Sequence, residues 1–153
     1  MSVDLSVDIA GVKIKNPILA ASGTFGFGME YEKFFDVSLL GAIALKALTL
    51  KPRIGNPPPR IAETPSGIIN SIGLQNPGVE KFLAEQLSLS KKLGTVLIAN
   101  IAGESLDEYC ELADILSDAH GIDMLEVNVS CPNVRAGGLV FGSSPDGIYD
   151  IAK

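Results

Sequence analysis

Thr95-Val96-Leu97-Ile98-Ala99 is an uncharged, mostly apolar run that stops at the amide Asn100. A short run of this kind, without polar alternation, predicts a strand covered on both faces, as in a parallel sheet. What flanks it agrees. Before it, Asn76-Pro77 has the composition of a helix start, Val79, Phe82, Leu83 and Leu87 recur at helical spacing, and Lys91, Lys92 and Gly94 suit a helix end. After it, Ser105-Leu106-Asp107-Glu108 is a capping box, and Leu106, Tyr109, Cys110, Ala113 and Leu116 form an apolar stripe. This places Cys110 in the core. His120 and Gly121 read as the charged last turn and left-handed cap of that helix, a structural role.

The same unit recurs along the chain. Pro17-Ile18-Leu19-Ala20-Ala21 predicts a doubly buried strand ending at Ser22-Gly23, and Gly41-Ala42-Ile43-Ala44-Leu45 predicts another ending at Lys46. A helical stretch is expected between them around Glu30 to Phe35. Ile122 to Val127 predicts a fourth strand leading to Asn128-Val129-Ser130-Cys131-Pro132-Asn133, and Ser144-Pro145-Asp146 opens a further helix. Ahead of the first unit, Val3, Leu5, Val7 and Ile9, then Val12 and Ile14, alternate across Gly11 as a hairpin that caps a larger body. Thr49 to Ser71 holds five prolines, which excludes a helix and predicts a long ordered excursion or a short hairpin.

Alternating buried strands and amphipathic helices define a parallel α/β protein, either an open doubly wound sheet or a (β/α)8 barrel. Ligands of both bind at the C-terminal ends of the strands. Those ends carry Ser22, Lys46, Asn100 and Asn128. A lysine directly after five small apolar residues is hard to account for as surface decoration. The glycines of Gly23-Thr24-Phe25-Gly26-Phe27-Gly28 are spaced G-x-x-G-x-G, and Lys46 stands where a ribose-binding acid would end the second strand, so the dinucleotide fingerprint is absent.

Asn128 to Asn133 combines amides, a hydroxyl and a thiol behind an apolar strand. Such residues are ordinary turn formers, yet they also suit a planar polar ligand and a proton transfer. At 153 residues, 46% of them hydrophobic, the chain matches one globular domain. A net charge of −6 without a basic run argues against nucleic acid and anionic membranes as partners. The absence of a signal-like start or a long apolar run points to the cytoplasm, where two cysteines predict no disulfide. One histidine and two distant cysteines make no metal site.

Three segments together, Lys46-Ala47-Leu48-Thr49, Asn70-Ser71-Ile72-Gly73-Leu74-Gln75-Asn76 and Asn128 to Asn133, resemble the class I dihydroorotate dehydrogenases. These are flavin enzymes of pyrimidine synthesis built on a (β/α)8 barrel. Gly137 to Gly142 is similar to the NAD-linked B-type branch, whose catalytic subunit pairs with an iron-sulfur flavoprotein. The resemblance implies that residues 1–153 form the N-terminal part of a single FMN-binding barrel domain, the hairpin plus about four βα units. Ser22, Gly23, Lys46, Ala47, Asn100 and Asn128 would then line FMN. Lys46, Asn70, Ser71, Ile72, Gly73, Leu74, Asn128 and Asn133 would hold dihydroorotate or orotate. Cys131 would be the base that removes the C5 proton while hydride leaves C6 for the flavin.

A barrel of this type needs about 250 residues. The expectation is therefore a half that holds the base and much of the substrate site, with the FMN phosphate grip elsewhere. It would be inactive alone and completed by a complementing half or a homo-oligomer. The alternatives are a related flavin barrel acting on another dihydropyrimidine, and a non-catalytic half-barrel used for assembly.

Overall fold

The computed structural model describes residues 3–130 and 141–153. The chain opens on an antiparallel hairpin of β1 (Val7–Ile9) and β2 (Val12–Ile14), with Ala10 and Gly11 both at positive φ in its two-residue turn. Four strands follow in one parallel sheet: β3 (Leu19–Ala20), β4 (Ala42–Ala44), β7 (Val96–Ile101) and β8 (Met124–Val127), each beside its predecessor. Between β4 and β7 the excursion forms a second hairpin, β5 (Ile61–Thr64) and β6 (Gly67–Asn70). Ile61, Ile68 and Ile69 lie exposed on it, so its order comes from ladder hydrogen bonds and not from burial.

The two faces of the sheet have different neighbours because strand side chains alternate. Ile43, Leu45, Leu97, Ala99 and Ile101 point into the main core with Phe82, Tyr109, Leu112 and Leu116. Ala42, Ala44 and Ile98 point the other way and are covered by Ile14 of the first hairpin, which is 2% exposed. That hairpin therefore closes one end of the second face through β2, whereas the alternating Val3, Leu5, Val7 and Ile9 stay exposed and only the last two belong to a strand. Each large apolar side chain buried here contributes roughly 1.5–3 kcal/mol.

The helices depart from the sequence reading in detail. Helix α3 (Leu106–Ser117) begins as predicted, with Ser105 Oγ accepting from Glu108 N–H, but Glu108 returns its carboxylate to Glu104 N–H and not to Ser105. It ends at Ser117, so His120 and Gly121 are not its last turn and cap; they lie in the connection to β8, where His120 bridges Ile122. Cys110 is exposed, not core, because Tyr109, Leu112 and Leu116 take the inward positions. The run from 79 to 93 comprises α1 (Val79–Lys81), a π segment (Phe82–Gln86), α2 (Leu87–Ser90) and a 3-10 turn (Lys91–Leu93) that ends at left-handed Gly94. It does not start at Asn76-Pro77. Gly78 precedes it, and the Val79 N–H is taken by the Thr49 carbonyl at 2.9 Å.

Glu30 to Phe35 is not a full helix, only a 3-10 turn at Met29–Tyr31 followed by another at Val37–Leu39. Phe25 stacks on Tyr31 with ring centroids 4.0 Å apart, and this aromatic packing holds the segment as a turn. The first strand is not buried on both faces: Ile18 is 60% and Leu19 43% exposed, because β3 is the edge of the described sheet. The last helix, α4 (Pro145–Ala152), starts as predicted, with Ser144 Oγ accepting from Gly147 N–H.

Candidate active site

At the C-terminal ends of the parallel strands lies a cavity of about 420 Å³ lined by Ser22, Gly23, Lys46, Ala47, Leu74, Asn100 and Asn128, with Ala21, Glu126, Val127 and Ser130 completing it. Strand geometry explains the convergence. On the face that Ile14 covers at one end, Ala44 and Ile98 are followed two residues on by Lys46 and Asn100, and Met124 by Glu126 and then Asn128. One face is thus apolar under the hairpin and polar at the cavity.

Each side chain is held by its neighbours. Ser22 donates its hydroxyl to the Leu45 carbonyl at 2.8 Å, which joins the first two strand ends. The Lys46 N–H donates to Gly26 O at 2.8 Å, so the glycine loop after β3 packs against the end of β4. Pairing persists beyond β4, with Leu48 N–H on Asn100 O and Ala102 N–H on Leu48 O, both at 2.9 Å. Asn100, 2% exposed, donates Nδ2–H to Glu126 Oε1, and its Oδ1 accepts from Asn128 Nδ2 at 3.2 Å. Asn128 Oδ1 accepts the Ser130 N–H at 3.1 Å.

Leu74 reaches the cavity because Asn76 sets the backbone behind it. The Asn76 side chain, 6% exposed, accepts the N–H groups of Thr49 and Gly78 and donates to the Leu74 carbonyl at 2.8 Å. The other excursion residues predicted to hold substrate do not line the cavity. Asn70 and Ser71 are exposed, Ser71 pairs with Asn56 and Arg60, and the Ile72 carbonyl accepts from Asn56 N–H. Gly73 follows at φ +77° against Asn56, where a Cβ would meet the Asn56 backbone nitrogen at 2.8 Å. Cys131 and Asn133 lie outside the described residues.

Sequence reasoning missed Glu126, whose carboxylate stands directly across from Asn100 in the β7–β8 register. The signal was present: Glu126 is two residues before Asn128 and so shares its strand face. Among the described residues no cluster of histidine, cysteine and acidic side chains could hold a metal, and no helix is long and apolar enough to cross a membrane.

A parallel sheet with polar side chains from four consecutive strand ends over one cavity defines a parallel α/β protein, the architecture in which ligands bind at that end of the sheet. Comparison with known proteins narrows the class. The family model for dihydroorotate dehydrogenase matches residues 4–153, and the chain belongs to that family. It is 56% identical over 151 residues to the dihydroorotate dehydrogenase B (NAD(+)) catalytic subunit of Caldicellulosiruptor bescii, covering 99% of this chain and 50% of that protein. The like-named protein of Geobacillus kaustophilus is 54% identical over 149 residues, covering 97% of this chain and 48% of its own length. The chain thus spans about half the length of these relatives. Among solved structures, DHODH from Eimeria tenella in complex with ferulenol matches with a TM-score of 0.77 at 25% identity, covering 97% of this chain and 42% of that one.

Proposed function

We propose that this chain supplies the N-terminal part of an FMN-binding (β/α)8 barrel that oxidises dihydroorotate to orotate in pyrimidine synthesis. The observation that carries the reading is the convergence of Ser22, Lys46, Asn100 and Asn128 on one cavity, within a chain similar along its whole length to B-type catalytic subunits. A protein of this kind works with an electron-transfer subunit and NAD as final acceptor, in the cytoplasm. The sheet leaves β3 and β8 at its edges, which suits completion by a further set of βα units or by another copy.

The donor set fits a flavin. A ring with carbonyls and N–H groups on its edge needs mixed amide partners and a cation, which Asn100, Asn128 and Lys46 provide. The lining also holds two small residues: Ala47 is buried, and a Cβ placed on Gly23 would meet nothing within 4 Å, which leaves open space beside the strand end. FMN held by these residues would supply the redox chemistry, as hydride acceptor. Lys46 would offset negative charge that develops at the ligand edge. Asn128 and Leu74 of the cavity, together with Asn133, would orient the substrate ring, and Cys131 would take the C5 proton onto its thiolate. Ser130, the residue before Cys131, lines the cavity.

The test is dihydroorotate oxidation by the whole polypeptide that carries this chain, purified with its flavin, beside its Cys131→Ser variant. Loss of about 10²–10⁴-fold in kcat with flavin retained is expected. A wild-type protein that binds flavin yet leaves dihydroorotate unchanged, or a variant of undiminished rate, overturns the reading.

A further inference from the structure

A bulky side chain on a residue of positive φ is uncommon, because its Cβ is crowded by the adjoining backbone. Leu74 is such a residue, at φ +54°, directly after Gly73 at φ +77°. It is also the largest apolar residue lining the cavity, 7% exposed and clustered with Ala47 and Ala102. Backbone bonds fix where the chain enters and leaves this point. Asn56 N–H donates to Ile72 O at 3.0 Å, and Asn76 exchanges two bonds with Arg53 at 2.9 and 3.0 Å. Between those anchors the bond that reaches the Leu74 backbone comes from a side chain, Asn76 Nδ2 to Leu74 O at 2.8 Å. The polarity of that amide is settled locally. The Thr49 and Gly78 N–H groups can only donate, so the atom they share is Oδ1, at 3.2 and 2.9 Å, and Nδ2 faces the carbonyl.

We propose that Asn76 is a positioning residue for the ligand site: by holding the Leu74 carbonyl it keeps Leu74 at positive φ, and so keeps that side chain against Ala47 and Ala102 as a cavity wall. The inference rests on the proposed flavin and dihydroorotate site and adds to it a residue that does not line the cavity. Toward the cavity, Asn76 acts through Leu74. Asn76→Asp isolates this action. The Thr49 and Gly78 N–H groups keep their acceptor, while the Leu74 carbonyl meets a second acceptor in place of a donor. Leu74 then turns to negative φ, and its Cβ leaves the place beside Ala47 and Ala102.

Glycine accepts positive φ freely, whereas alanine is strained there and is the better of the two at negative φ. The order of Leu74→Gly and Leu74→Ala in thermal unfolding therefore reports the sign of φ at position 74. In the whole polypeptide that carries this chain, Leu74→Gly should melt about 2 °C above Leu74→Ala. In the Asn76→Asp background the order should reverse. A side chain that merely stabilised the loop would lower both proteins equally and leave their order unchanged.

With flavin bound, Asn76→Asp should raise KM for dihydroorotate about fivefold with a smaller change in kcat, and combined with Leu74→Ala the two increases should not multiply. Leu74→Ala melting at or above Leu74→Gly beside Asn76 overturns the proposal. So does Leu74→Gly still melting higher beside Asn76→Asp, which would mean that the flanking backbone holds φ unaided, and so do KM increases that multiply. Should Asn76→Asp fail to fold, Asn76→Ser, which keeps an oxygen for the Gly78 N–H and loses the amide donor, takes its place with the same outcomes. A wild-type protein that does not oxidise dihydroorotate would sink the functional reading, and the melting order would still decide whether Asn76 holds Leu74.

Discussion

Tyr109 donates its phenolic O–H to the backbone carbonyl of Asn128 at 2.6 Å, tying the helix after β7 to the exit of β8. Tyr109 is 4% exposed, and its ring meets Phe141 edge-on with centroids 6.1 Å apart. The helix thereby fixes the backbone of a residue whose side chain faces the cavity. Tyr109→Phe keeps the ring and removes the donor, leaving a partly buried carbonyl unpaired. Stability should fall by about 1–3 kcal/mol in urea denaturation, with a larger proportional loss of ligand affinity than a core substitution of equal cost. Unchanged affinity would mean that the Asn128 backbone holds its place without Tyr109.

Asn76 performs the corresponding task for the excursion. Its buried amide joins Thr49, Leu74 and Gly78, and so places Leu74 on the cavity wall and the Thr49 carbonyl over the start of α1. Asn76→Ala should cost roughly 2–4 kcal/mol, since several buried groups lose their partner at once. Asn76→Asp retains the acceptor for Thr49 and Gly78 and should fall between the two. Thermal unfolding of the three proteins gives the order.

Lys46 lies two residues beyond β4 and lines the cavity. Lys46→Met keeps the aliphatic stem and removes the charge. With a charge-assisted hydrogen bond contributing about 1.5–3 kcal/mol, flavin or substrate affinity should drop roughly ten- to hundredfold. Equilibrium flavin binding and the KM for dihydroorotate measure it, and unaltered values for both would remove Lys46 from the binding site.

Asp36 caps the 3-10 turn Val37–Leu39, and the Ser38 hydroxyl and then the Ser38 N–H hold its carboxyl below the usual value. A carboxyl lowered in the folded state stabilises it at pH above the unfolded value, and that contribution disappears as the pH falls through the lowered one. The stability difference between wild type and Asp36→Ala should therefore be widest near neutrality and narrow below the ordinary aspartate range. A difference that widens on acidification would contradict this sign. Thermal melts at a series of pH values decide.

Much of the scaffold was legible because it depends on local chemistry. Continuous apolar runs marked β4 and β7, and the polar residue that ended each run, Lys46 or Asn100, proved to line the cavity. Ser105 and Ser144 announced their helices through short-range hydrogen bonds. Asn76-Pro77 misled because the same side chain that can cap a helix can also organise a buried loop, and its partner Thr49 is 27 residues away. Cys110 misled because it stands at the border of the apolar stripe, where helical period alone does not tell inside from outside. The exposure of Ile18 and Leu19 follows from β3 being an edge, a property of the neighbours and not of the run itself.

The sequence by itself determined a parallel α/β protein with its polar groups at the strand ends, since strand period, capping and chain breaks are set by residues near one another. It also carried the family resemblance that the comparisons bear out. The tertiary structure alone decided that Glu126 meets Asn100 and that Asn100 meets Asn128. Those contacts depend on the register between two strands whose paired residues lie 26 positions apart, and register is a property of packing against the rest of the fold.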